Sequence, residues 1–154
     1  MFDFIQTLIA QTDQDTVSVL YDRKAYGLDK PWMQEEQDGE YQHPCVRYVT
    51  VNDIEVKCWY SNTNENGHFE IPKIVFGIGS NCGGFYFDRD GKYGLSQYAA
   101  GVLGTEEELE NIFRAMSTQK FMDVMDACMT TTQRIHPKVF GMFKKDWWKE
   151  FLEE

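Results

Sequence analysis

The chain has 154 residues, 42% of them hydrophobic and 15% aromatic, which is enough apolar mass for one core without metal or disulfide support. Carboxylates outnumber Lys and Arg by 25 to 15, and the resulting formal charge of −10 opposes unaided binding to a phosphate backbone. No run nears the roughly 20 apolar residues that span a bilayer, and Met1-Phe2-Asp3-Phe4 has no basic leader region, so the expectation is one cytosolic domain over residues 1–154 with no membrane association.

In chain order, Phe2, Ile5, Leu8 and Ile9 share one helical face, so the first dozen residues read as an amphipathic helix that stops at the polar Thr12-Asp13-Gln14-Asp15. Residues 16–21 alternate as a strand should. Residues 30–40 form a polar, acidic connection. The runs 49–51 and 54–60, either side of Asn52-Asp53, are placed to pair as a hairpin. Ser61-Asn62-Thr63-Asn64-Glu65-Asn66-Gly67 is a loop by composition. Residues 71–78 are apolar and β-branched, as in a buried strand. Beyond a glycine-rich stretch, Phe85-Tyr86-Phe87 and Tyr98-Ala99-Ala100 lie either side of the turn signal Asp90-Gly91.

From Thr105 the period changes. Thr105 followed by Glu108 is a capping box, and Leu109, Ile112, Phe113 and Met116 supply the apolar stripe of the helix behind it. Phe121, Met125, Cys128 and Met129 repeat the stripe. After Pro137, Val139, Phe140, Phe143, Trp147, Trp148 and Phe151 read as an aromatic-rich closing helix. Strands first and helices last predict an α+β domain, with a mixed or antiparallel sheet followed by C-terminal helices.

Motifs for chemistry are sparse. Phe76-Gly77-Ile78-Gly79-Ser80-Asn81-Cys82-Gly83-Gly84 has Cys82 where a dinucleotide fingerprint needs glycine, and strand rather than helix follows it. It lacks the Gly-Lys-Ser/Thr ending of a phosphate-binding loop, so no nucleotide cofactor is expected. Cys45, Cys58, Cys82 and Cys128 have irregular spacing and form no CxxC pair, so neither a zinc site nor a disulfide framework is indicated. His43, His68 and His136 stand in unrelated contexts, and His68 beside Gly67 reads as a loop histidine. Glu55-Val56-Lys57 would place a carboxylate and an ammonium on one strand face, as in metal-dependent nucleases that add an upstream aspartate, here Asp38. A charge pair on a solvated strand explains the same two residues without catalysis.

Charge is unevenly spread. Residues 1–42 carry −6, residues 43–104 only −1 and residues 105–154 −3. The near-neutral middle is therefore the part least opposed to DNA, and Arg47 and Arg89 are basic candidates within it.

Three stretches taken together, residues 71–77, 91–97 and 143–148, with Tyr41-Gln42-His43-Pro44-Cys45-Val46 upstream, resemble the C-terminal target-recognition domain found behind adenine-N6 DNA methyltransferases of restriction-modification systems. The similarity spans about residues 20–150. It implies a non-catalytic module that reads duplex DNA for a methyltransferase or nuclease chain. Under it, Lys73 and Lys92 are expected at phosphates, and Asn62, Asn64 and Asn66 at base edges. The Asp/Asn-Pro-Pro-aromatic motif that grips a flipped adenine is absent, so the chain would not methylate by itself. Two alternatives stand beside this reading. One is an acidic protein-binding or inhibitor module, with a continuous negative face from residues 29–42 and the helix starting at Glu106. The other is a divalent-metal nuclease using Asp38, Glu55 and Lys57.

Overall fold

The computed structural model describes residues 2–51, 53–78, 84–128 and 140–152. Its elements are α1 (Phe2–Leu8), β1 (Ser18–Leu20), β2 (Met33–Gln34), β3 (His43–Val49), β4 (Val56–Ser61), β5 (Lys73–Gly77), β6 (Phe85–Asp88), β7 (Gly94–Leu95), β8 (Ala99–Leu103), α2 (Glu106–Met116), α3 (Gln119–Cys128) and α4 (Lys149–Leu152). The α+β class is as expected, but the strands divide into two four-stranded sheets. The first runs β1-β8-β5-β6 and is antiparallel throughout. The second runs β2-β4-β3-β7, with a parallel pairing of β3 and β7. Among the described residues no helix is long and apolar enough to cross a membrane.

The β5 sequence explains how the layers stack. Successive strand residues point to opposite faces, and every residue of β5 is buried. Ile74 and Phe76 enter the large core with Leu109, Ile112, Phe121, Phe140 and Trp147. Val75 points the other way and packs with Val46, Val49, Leu95 and Ala99. The first sheet is therefore a middle layer, with helices on one side and the second sheet on the other. A third cluster (Tyr26, Met33, Cys45, Trp59) is covered by Ala25, Leu28, Trp32 and Phe69.

The expected hairpin forms as β3 and β4, with Val49 opposite Val56, but its first strand is His43–Val49 rather than residues 49–51. Gly84 backs onto its turn, where an added Cβ would lie 1.9 Å from the Thr50 carbonyl oxygen. Residues 85–87 and 99–100 do not form a hairpin around Asp90-Gly91. β6 and β8 flank β5 from opposite sides, and the chain after Gly91 crosses to the second sheet as β7. The capping box is complete: the Glu108 N–H donates to Thr105 Oγ1 at 3.1 Å and the Thr105 N–H to Glu108 Oε1 at 3.0 Å.

Two helix expectations need correction. The first helix ends at Leu8, and the Ala10 N–H donates to the Met142 carbonyl. Among the described residues of the closing segment, Phe140 and Lys149–Leu152 are α-helical, and residues 141–148 between them run as turns and bridges. Lys144 N–H donates to Leu8 and Lys145 N–H to Asp15, so amides a helix would use are taken by the N-terminal segment. Phe140, Phe143 and Trp147 still share one buried face, because successive turns (Phe143 N–H to Phe140, Trp147 N–H to Lys144) keep a near-helical spacing. The break expected at Pro137 and most of the glycine-rich stretch, residues 79–83, lie outside the described residues.

Candidate interaction surface

Lys73, expected at a phosphate, is an internal cation. Its ammonium donates to Asp88 Oδ2 at 2.9 Å, to the His68 carbonyl at 2.9 Å and to the Ile71 carbonyl at 3.1 Å, and its side chain is fully buried. The strand alternation that sends Ile74 and Phe76 to the helices sends Lys73, with Val75, between the sheets. Burial pushes its pKa below the usual lysine range, against the opposing pull of Asp88. Asp88 in turn accepts from the Lys92 and Tyr93 N–H groups at 2.8 and 3.0 Å, which ties β6 to the chain entering β7.

His68 extends this polar network, and sequence reasoning missed it. The Leu95 N–H donates to Nδ1 at 3.0 Å, and Nε2 faces Asp22 Oδ2 at 3.3 Å. A backbone amide can only donate, so Nδ1 is the unprotonated nitrogen and Nε2 carries the hydrogen. His68 has φ of 77° and Gly67 of 89°. The glycine before the histidine was the one available signal, and it reads equally as an ordinary loop. Asp22 and Asp88 carried no signal, because their partners are distant in sequence.

The other DNA-contact candidates stand in different local surroundings. Asn62, Asn64 and Asn66 are exposed in the loop after β4, and the Asn66 N–H donates to the Tyr26 hydroxyl. Arg89 pairs with Glu110 at 2.7 Å and lies over the Phe87 ring. Lys92 is exposed, with its ammonium 5.3 Å from the Tyr93 ring centroid. Arg47 is exposed on β3, 5.0 Å from the Trp59 ring and 5.5 Å from the Tyr48 ring. With Lys73 inside, the four basic residues do not make one patch.

The nuclease residues are also separated. Lys57 and Glu55 pair with each other at 2.8 Å in the open, and the bonded ammonium lowers the Glu55 pKa. Asp38 bonds to Gln34, which lies opposite Tyr60 at the far end of β4. Five residues of strand separate Tyr60 from Glu55, about 16 Å at roughly 3.3 Å per residue. Among the described residues no three His, Cys, Asp or Glu side chains come together as a metal-holding group. Cys45 and Cys58 are free thiols, and burial raises the pKa of both, to about 12 for Cys58.

What the second sheet does present is an ordered acidic edge. β2 is its outer strand, and Glu35, Glu36, Asp38 and Glu40 follow, all exposed. Asp38 Oδ1 accepts from the Glu40 and Tyr41 N–H groups at 2.9 and 2.8 Å, and Oδ2 from Gln34 Nε2 at 2.9 Å. Those bonds, led by the Tyr41 amide, lower the Asp38 pKa. Gln34 Nε2 also donates to the Glu36 carbonyl and Gln42 Nε2 to that of Gly39. The acidic start of α2 lies beyond the middle sheet, so the two acidic regions belong to opposite layers and do not form the continuous face expected. A cleft of about 380 Å³ beside Lys144, Lys145, Lys149 and Trp148 is of mixed charge, each ammonium standing 3.6–3.8 Å from a carboxylate. Comparison of the chain with protein-family models, with curated proteins and with solved structures gives no match.

Proposed function

We propose that the chain is a non-catalytic protein-binding module that meets a basic partner surface through the acidic edge formed by residues 33–42. The observation that carries this reading is the turn at Asp38, which holds Glu35, Glu36 and Glu40 outward on a bonded loop. A loop ordered before binding loses less conformational freedom on association. The charge distribution supports the same direction. Lys57, Arg89, Lys144, Lys145 and Lys149 stand beside carboxylates, and Lys73 is internal. Glu35, Glu36 and Glu40 have no ion-pair partner among the described residues. Like-signed charge at an edge steers association with an opposite surface and raises its rate at low salt.

The test is a photo-crosslinking residue placed at Gln37 in cells of the source organism. The reading expects one discrete adduct whose protein, purified separately, rebuilds a complex in vitro and loses at least about tenfold in affinity to Glu35→Lys/Glu36→Lys. Reconstitution that ignores the charge reversal would overturn it. So would selective binding to a member of a random duplex pool, which would restore DNA target recognition.

A further inference from the structure

Arg47 breaks the pattern of the surface around it. The β3–β4 register slips between Val46 and Tyr48, leaving Arg47 as the extra residue of a β-bulge. Bulges re-aim a side chain that regular pleating would direct elsewhere. Here the guanidinium lies over Trp59 and beside Tyr48, and Trp59 is flanked in turn by Tyr98 at 5.8 Å. Tyr98, 45% exposed, is held there by its own turn: the Ser96 N–H donates to the Val46 carbonyl at 3.0 Å, and the Tyr98 N–H to Ser96 Oγ at 3.2 Å. The residue before the bulge therefore anchors the aromatic wall beside it.

The Tyr48 and Trp59 rings lie within cation–π range of the guanidinium, an attraction that holds the cation over them without using its N–H donors. Among the described residues no carboxylate or carbonyl accepts from Arg47. We infer that Arg47, over the Tyr48 and Trp59 rings, is a receptor for one carboxylate side chain of the protein partner, set within that partner's basic surface. This rests on the acidic-edge reading and adds to it the feature that fixes register. A carboxylate approaching a chain of charge −10 meets net repulsion, against which the guanidinium of Arg47 supplies local attraction. Arg, Trp and Tyr are also the residue types that most often dominate binding energy when clustered at an interface. A nucleic-acid strand brings a row of phosphates and would meet the acidic edge as well, which favours a single carboxylate as the occupant.

The test is titration of ¹⁵N-labelled protein with two acetylated, amidated pentapeptides, Lys-Lys-Glu-Lys-Lys and Lys-Lys-Gln-Lys-Lys, following the Arg47 Nε–H resonance. Overall charge favours the glutamine peptide, so a preference for the glutamate peptide reports a local receptor. The expected preference is about fivefold, the upper range of an exposed ion pair, with an Arg47 Nε–H shift for the glutamate peptide alone. Arg47→Ala removes the preference, whereas Glu35→Lys/Glu36→Lys weakens both peptides and keeps their ratio. Equal affinities with Arg47 intact, or a preference that survives Arg47→Ala, overturn the inference. If those equal affinities still respond to Glu35→Lys/Glu36→Lys, the acidic edge stands without it. Binding of neither peptide removes both readings, and displacement of the peptide from Arg47 by a short duplex reassigns the residue to phosphate.

Discussion

Lys73 Nζ and Asp88 Oδ2 meet 2.9 Å apart between the two sheets, with neither side chain more than 3% exposed. Removing one member of a buried pair strands the other, which costs about 3–5 kcal/mol. Asp88→Asn is therefore expected to lower stability by that amount in urea unfolding, and Lys73→Met/Asp88→Asn by less than the sum of the single changes. Single losses below about 1 kcal/mol would mean that the site relaxes and admits water.

His68 makes stability fall on the acid side. Burial is the largest influence on it and holds its pKa below the ordinary 6.5, against the pull of Asp22. The unfolded chain then binds the His68 proton at higher pH than the folded one. Stability is full above about pH 6.5 and declines as pH falls from there toward the depressed folded value. Urea midpoints between pH 7.5 and 5 should show this decline, and His68→Gln should flatten it. An unchanged slope in His68→Gln would assign the acid loss to other groups.

Thr105→Ala removes the acceptor for the Glu108 N–H at the start of α2 and should cost about 1 kcal/mol. Thr105→Ser keeps a hydroxyl and should cost much less. Thermal unfolding of the two variants, compared under one condition, separates the cap from any effect of side-chain volume.

Gly91 has φ of +68°, and a Cβ there would lie 2.3 Å from the Ile71 nitrogen and 2.4 Å from the Glu70 Cα. Gly91→Ala combines backbone strain with a collision against main chain and should cost about 2 kcal/mol or more. Gly39→Ala, with nothing within 4 Å of the added atom, should be close to neutral. Equal effects of the two would mean that the 70–71 backbone shifts freely.

The parts legible in the sequence were those decided locally. Thr105 and Glu108 are three residues apart and cap their own helix, and the apolar, β-branched run at 71–78 reads as the buried strand that forms at Lys73–Gly77. The pairing of β5 with β6 and β8 was not legible, because Asp90-Gly91 looks like a hairpin turn whether the next strand returns beside β6 or leaves for another sheet. Lys73 shows the same limit at the site. A lysine at the head of an apolar strand reads as a surface cation unless Asp88, fifteen positions on, is known to lie opposite. The bulge at Arg47 was equally silent, because one unpaired residue leaves no mark in composition or period.

The middle sheet also constrains the order in which the chain acquires structure. Among the described residues β1 pairs only with β8, so the strand partner of Ser18–Leu20 there is absent until Ala99–Leu103 has been made. Ile9 and Thr16 form their bridges later still, with Phe143 and Lys144. The N-terminal segment must therefore wait unpaired through most of synthesis, and contacts this distant slow the folding search. The early-made part most able to form without it is the β3–β4 hairpin, whose two strands are neighbours in sequence and carry Arg47 and Trp59.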